Sequence, residues 1–189
     1  NVLNNIKKAI SDVGIEVLDI YPNIISAPEW VLTKRQKELW VVCIDIGSST
    51  TWISVYEEGS LKFASIIPMG WDSVTNDVAL WVRTSIDTAE KLKLEFGALS
   101  LDKDESFKDI EIDLAKLTNN SEEWVINKKY LSQIITARYD EIMHFVKDEL
   151  KRIWRDGMLP EWAVIVGWWA KMKWLVDLTK EVLRLPTII

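Results

Sequence analysis

The stretch VVCIDIGSSTTWISVY, residues 41–56, decides how the rest of the chain is read. An apolar run, Val41, Val42, Cys43 and Ile44, leads to an acid, Asp45. A turn of small residues follows, Gly47, Ser48, Ser49, Thr50 and Thr51, and a second run rich in β-branched residues leaves it over 53–56. This is the pattern of a strand, a tight loop and a second strand. Gly47 can take backbone angles closed to other residues, and the small side chains let a ligand approach the main chain. Consecutive backbone N–H groups and hydroxyls in such a loop suit phosphate oxygens. Asp45, at the strand end, is placed to hold Mg²⁺ through water, since that ion keeps several waters and takes few carboxylates. A plain hairpin with a polar turn fits the same letters.

The chain has 189 residues, enough for one large or two small domains. It is 48% hydrophobic and 28% charged, the balance of a globular protein. Its net charge of −6 and the lack of a basic stripe argue against nucleic acid as a partner. The single cysteine, Cys43, lies in an apolar run and reads as a small core residue. One cysteine allows neither a disulfide framework nor a cysteine metal set. No signal-peptide pattern is present and no apolar run approaches the ~18 residues that span a bilayer, so a reducing cytoplasm is the expected setting.

Before the loop, Val2, Leu3, Ile6, Ala9, Ile10 and Val13 fall at helical spacing, with Gly14 as the C-cap. Residues 15–21 alternate as a strand does. Residues 24–33 predict a helix interrupted near Pro28, and 34–38 a charged turn. After the loop, Glu57, Glu58, Gly59 and Ser60 turn into a third strand over 61–67, so that three strands form an antiparallel meander. Asp72 or Ser73 is the expected cap of a helix through Val82. Asp87, Thr88, Ala89 and Glu90 have the spacing of a capping box for a helix ending at Gly97. Residues 99–123 are polar and weakly patterned, with a short strand near Ile110, Ile112 and Leu114 and a turn at Asn119 and Asn120. Val125 and Ile126 predict another short strand. Residues 128–154 form the longest predicted helix, striped by Leu131, Ile135, Ile142, Val146, Leu150 and Ile153, with His144 off the stripe on the surface. A buried strand over 163–166 and a helix over 174–183 close the chain.

In this order, four further segments accompany the loop. They are IIPMGWDSVTNDVAL (66–80), RTSIDTAEKLKLEFG (83–97), ITARYDEIMHFVKDELKRI (135–153) and GMLPEWAVIVGWWAKMKWLVDLTKEVLRLP (157–186). Together they resemble the bacterial cell-division protein FtsA, of the actin-like ATPase superfamily, over nearly the whole chain apart from about 99–123. The resemblance implies an α/β, actin-like (ribonuclease H-like) mixed sheet flanked by helices. Residues 1–69 and 128–189 would form the core subdomain, the first 39 finishing a preceding one, and 70–127 a smaller α+β lobe. What matches is the later half of such a protein. The family's first phosphate loop and its C-terminal membrane-targeting helix have no counterpart here, so the chain is expected to be a fragment.

The resemblance also assigns a site. Asp45, Gly47, Ser48, Ser49, Thr50 and Thr51 become the second phosphate loop, with Asp45 organising Mg²⁺. Gly167, Trp168 and Trp169 become the adenosine loop. Glu90 and Lys93, three apart on one helix face, would contact ribose and base. On pattern alone that pair also reads as a surface ion pair worth ~0.3–0.5 kcal/mol. No catalytic residue is assigned. Trp52 stands where related actins position a water, and no second carboxylate or histidine is placed to activate one, so the protein would be at most a weak ATPase. The implied function is to bind ATP and Mg²⁺, self-associate into filaments and dock the FtsZ C-terminal tail on the smaller lobe. That would link the division ring to the inner face of the cell membrane from the cytoplasm, with membrane contact only through the missing helix. A pilus-assembly actin homologue of the PilM type shares the phosphate loop and the IIPMG turn, but fits TNDVAL, AEKLK and ARYDEI less well. A tryptophan-rich interaction module without nucleotide is the reading from another class.

The tryptophans stand out: the chain has 11 of them and only 7 glycines, against a usual glycine share of about 7%. FtsA-like proteins commonly carry glycine at the positions of Trp71, Trp81, Trp168, Trp169 and Trp174. Some bacteria read UGA as glycine, whereas the common alternative translation table reads it as tryptophan. These positions are therefore expected to be glycine codons, and UGG codons there would contradict that reading.

Overall fold

The computed structural model describes residues 2–99, 107, 110–116, 125–153 and 162–189. Strands β1 (Val41–Ile46), β2 (Thr51–Glu57) and β3 (Ser60–Ile67) form the antiparallel meander that the sequence predicts. β1 also pairs in parallel with β6 (Trp162–Val166), and β6 with β7 (Thr187–Ile188), giving a five-stranded mixed sheet in the order β3-β2-β1-β6-β7. The register sets Asp45 between Trp52 on one side and Val166 on the other.

Side chains alternate across a strand, so β1 feeds two cores. Val42, Ile44 and Ile46 join the larger one, built with α4 (Trp71–Val82), α5 (Ile86–Phe96), α6 (Lys128–Ile153) and α7 (Leu175–Leu183). Val41 and Cys43 face the other way, with Leu32, Tyr56 and Val164, where α2 (Asn23–Val31) packs over β1 and β2. Coverage on both faces explains why β1 is almost continuously apolar. Burial pushes the Cys43 thiol up to about 12, which keeps it protonated and inert.

Residues 70–127, the expected smaller lobe, supply α4, α5 and a two-stranded ribbon of β4 (Glu111–Asp113) and β5 (Val125–Asn127). Its Leu92, Leu99, Ile112 and Leu114 belong to the same apolar cluster as Ile44 and Ile53 of the sheet. One continuous core therefore holds these elements beside β1.

Several local expectations change. Residues 15–21 form no strand, because alternation alone does not make one without a neighbour to pair with, and Leu18 there is exposed. α2 runs through Pro28 without interruption; the Leu32 N–H donates to the Pro28 carbonyl one turn later. The charged turn at 34–38 is a short helix, α3 (Lys34–Glu38). Thr33 and Gln36 close a reciprocal capping box on it, a T-x-x-Q signal that the sequence carries openly. α5 is capped by the Ser85 hydroxyl, which accepts from the Thr88 N–H, not by Asp87, and this frees Glu90 for another role. The alternation at Ile110, Ile112 and Leu114 yields only a three-residue strand, because the chain tightens into a 3₁₀ turn at Leu114–Lys116. The turn at Asn119 and Asn120, together with Trp124 and Trp154, lies outside the described residues.

Candidate functional site

The loop between β1 and β2 is closed by the Gly47 N–H donating to the Thr50 carbonyl at 2.9 Å. It is also tied to the start of α4. The N–H groups of Trp71 and Asp72 donate to the carbonyls of Gly47 (3.1 Å) and Ser48 (2.8 Å), and the Ser49 hydroxyl donates to the Asp72 carboxylate (2.9 Å). The expected cap at Asp72 or Ser73 is thus replaced. Gly70 is the N-cap and supplies no side chain, because the loop carbonyls take up the helix's first free N–H groups. A Cβ at Gly70 would run into the Gly47 and Ser48 carbonyls, so the approach of helix to loop requires glycine.

Gly167, after β6, sits at φ +116°, and a Cβ there would lie 2.5 Å from the Ile46 carbonyl. The Gly167→Ala change is expected to destabilise the fold by about 1–3 kcal/mol through backbone strain. A thermal melt checks this, and an unchanged Tm would contradict it.

Asp45 is half-buried at the end of β1, and burial pushes its carboxyl above the ordinary aspartate range. A cation beside it would favour the ionised form. Among the described residues no group of three or more His, Cys, Asp or Glu could hold a metal ion. Thr51 is fully buried and its hydroxyl donates to the Met69 carbonyl (2.9 Å), which makes it a support of the loop.

Opposite the loop, Lys93 is 1% exposed. Its Nζ donates to Thr75 Oγ1 (2.6 Å) and the Trp71 carbonyl (3.2 Å) and pairs with Glu90 Oε2 (2.6 Å). Burial pushes the Glu90 carboxyl up, but hydrogen bonds from Lys93 and Thr75 outweigh it and hold the group below the ordinary glutamate range. A depressed carboxyl contributes stability above its unfolded value and loses it as pH falls through the folded one. Glu90 and Lys93 are therefore not a simple surface pair: one member is sealed in the core, beneath a cleft.

That cleft, of about 330 Å³, brings together Asp45, Gly47, Ser48, Glu90, Lys93, Gly167, Trp168 and Trp169 of the predicted residues. Ser49, Thr50 and Thr51 do not line it. Trp71 and Asp72 do, and the sequence offered them only as an expected glycine position and a cap. Trp71 is 3% exposed, stacks on Tyr139 (centroids 5.9 Å apart) and tilts against Trp169 (5.5 Å), and its buried Nε1 has no hydrogen-bond partner among the described residues. Lys93 Nζ lies 5.3 Å from the centre of the Trp169 ring. Trp168, by contrast, is 88% exposed. Trp174 takes the left-handed conformation, φ +67°, just before α7. A bulky side chain is unusual there, and glycine adopts it at no steric cost.

The residues fit a nucleotide in one half only. The loop side offers close main chain, hydroxyls and the carboxylates of Asp45 and Asp72, the donor set that a magnesium-bound phosphate chain needs. On the opposite side the Trp169 indole covers Lys93, and a base could reach that lysine only by displacing it.

Comparison with known proteins gives a consistent pattern. The family model "Cell division protein FtsA" matches residues 42–189. The FtsA of Pseudomonas aeruginosa is 31% identical, over 98% of this chain and 44% of that protein. The FtsA of Bacillus subtilis is 31% identical, over 97% of this chain and 41% of that protein. The chain thus spans less than half the length of these curated relatives. Among solved structures, MreB5 of Spiroplasma citri bound to AMPPNP superposes with a TM-score of 0.77 at 18% identity, covering 99% of this chain and 59% of that one. A PilM–PilN type IV pilus biogenesis complex superposes with a TM-score of 0.67 at 14% identity, covering 98% of this chain and 46% of that one. These two likenesses show the actin-like fold.

Proposed function

This chain belongs to the FtsA family of cell-division proteins, and we propose that it supplies that family's nucleotide-holding half, binding ATP with Mg²⁺ between the Asp45–Thr51 loop and the Glu90–Lys93 pair. The observation that carries the reading is the opposition across one cleft of an anion-suited loop and a buried lysine bonded to a glutamate. The phosphate chain would lie along Gly47 and Ser48, with Asp45 holding Mg²⁺ through water. Glu90 and Lys93 would face ribose and base, and Gly167, Trp168 and Trp169 would form the adenosine loop. Trp168 and Trp169 would be glycines in the working protein. Bound Mg²⁺ neutralises phosphate charge. Nucleotide would set conformation or assembly more than undergo rapid turnover.

The direct test is an ATP titration in Mg²⁺ of the chain carrying glycine at positions 168 and 169. Saturable binding is expected, with Lys93→Gln weakening it by about tenfold or more. No binding would overturn the reading.

At the level of the whole protein, the reading extends to self-association into actin-like filaments and to docking of the FtsZ C-terminal tail on the smaller lobe. This would take place in the cytoplasm at the inner face of the cell membrane. Among the described residues no helix is long and apolar enough to cross a membrane. If the lobe docks that tail, a peptide of it should shift NMR signals within residues 94–139 and spare the loop from Asp45 to Thr51. Shifts confined to the loop, or none, would count against the docking.

A further inference from the structure

We infer that Thr75, on α4, is the positioning residue that presents the Glu90 carboxylate to the ribose side of a nucleotide; the inference rests on the nucleotide reading above. Thr75 is 4% exposed and does not line the cleft. Its role follows from counting protons. The three N–H bonds of Lys93 Nζ are met by three acceptors: Glu90 Oε2, the Trp71 carbonyl and Thr75 Oγ1. Thr75 Oγ1 therefore accepts from the ammonium, and its own single proton must go elsewhere. Two oxygens are in reach, Glu90 Oε2 at 2.5 Å and the Trp71 carbonyl at 3.1 Å. The shorter, charge-assisted bond to the carboxylate is the stronger. Glu90 Oε2 is then held from two sides, by Thr75 and Lys93. The other carboxylate oxygen is left to accept from a ligand, and a side chain that reaches the cleft wall is fixed in one pose.

A vicinal diol is the ligand group that suits a pinned, ionised acceptor of this kind. Valine at position 75 keeps the shape but removes both bonds. It leaves one Lys93 proton unmatched in the core and lets Glu90 swing, because its side chain is 41% exposed.

The experiment compares ATP with inorganic tripolyphosphate, in Mg²⁺, on the full chain with glycine at positions 168 and 169. Tripolyphosphate carries the phosphates but neither ribose nor base, so it reports on the loop alone. The Thr75→Val variant is expected to bind ATP about 10- to 100-fold more weakly with tripolyphosphate affinity unchanged, and Thr75→Ser to restore ATP binding. If Thr75→Val binds ATP like the parent, or if ATP and tripolyphosphate weaken together, or if serine fails to rescue, the positioning role is wrong while the nucleotide site stands. If the parent binds neither ligand, the nucleotide reading itself falls and this role falls with it.

Discussion

Glycine in place of Trp168 and Trp169 is expected to raise the affinity for ATP by about 100-fold over the chain as written. The Trp169 indole lies against both the Lys93 ammonium and the Trp71 ring, at 5.3 and 5.5 Å. A purine approaching Lys93 must displace it and forfeit both contacts. A partly desolvated cation–π contact is worth ~1–2 kcal/mol and an aromatic pair ~0.5–1.5 kcal/mol beyond the area it buries. Their sum corresponds to roughly two powers of ten in affinity. Trp168 is mostly in solvent, so its replacement adds main-chain freedom beside Gly167 and little else. At Trp174, a φ of +67° costs of order 1 kcal/mol for a non-glycine residue. Its indole is also packed against the core, so Trp174→Gly relieves that strain at the loss of this contact. Paired ATP titrations and melts of both versions give the answer. If the tryptophan chain is the more stable and binds ATP equally well, the tryptophans are real and the adenosine loop is misplaced.

Removing the carboxylate of Asp45 is expected to have the second largest effect. Asp45→Ala should weaken ATP binding by about 10- to 100-fold in Mg²⁺ and leave the fold intact. With the metal chelated, the gap between variant and parent should close. The fold is spared because burial already disfavours the charged form of this side chain, so its loss removes no stabilising ion pair. The same burial sets a pH dependence. A carboxyl held above the ordinary aspartate range takes up its proton earlier as pH falls, and Mg²⁺-assisted binding should fade with it at a higher pH than an exposed aspartate would give. Equal ATP affinity for parent and variant in Mg²⁺ would remove Asp45 from the site.

The parts legible in the sequence are those where a local pattern and a global position demand the same residues. β1 is apolar because both of its faces are covered, and its small-residue loop is short because β2 must return antiparallel to it. The parallel strand at Trp162–Val166 and the long α6 were readable for the same reason. What could not be read was set by partners distant in sequence. The first turn of α4 looks to a sequence reader like an aspartate or serine cap. Its N–H groups in fact go to two loop carbonyls more than 20 residues earlier, at Gly47 and Ser48. Thr75 gave no signal, since a threonine inside a helix normally bonds back to its own turn. Only the fold brings Glu90 and Lys93 beneath it. Trp71 was visible as an oddity, but its stacking on Tyr139 depends on α6 crossing α4. The segment 15–21 misled for the opposite reason: it has the local alternation of a strand but no neighbour to satisfy it.

The central proposal is that the Asp45–Thr51 loop holds a nucleotide's phosphates while the Gly167 turn and the Glu90–Lys93 pair hold its adenosine. Amide hydrogen exchange of the chain with glycine at positions 168 and 169, with and without ATP and Mg²⁺, tests it most directly. Slowed exchange is expected at Ser48–Thr51, at 167–169 and around Lys93, with the remaining amides of β2 and β3 unchanged. Slowing elsewhere with the loop unaffected, or no slowing at saturating ATP, would contradict it.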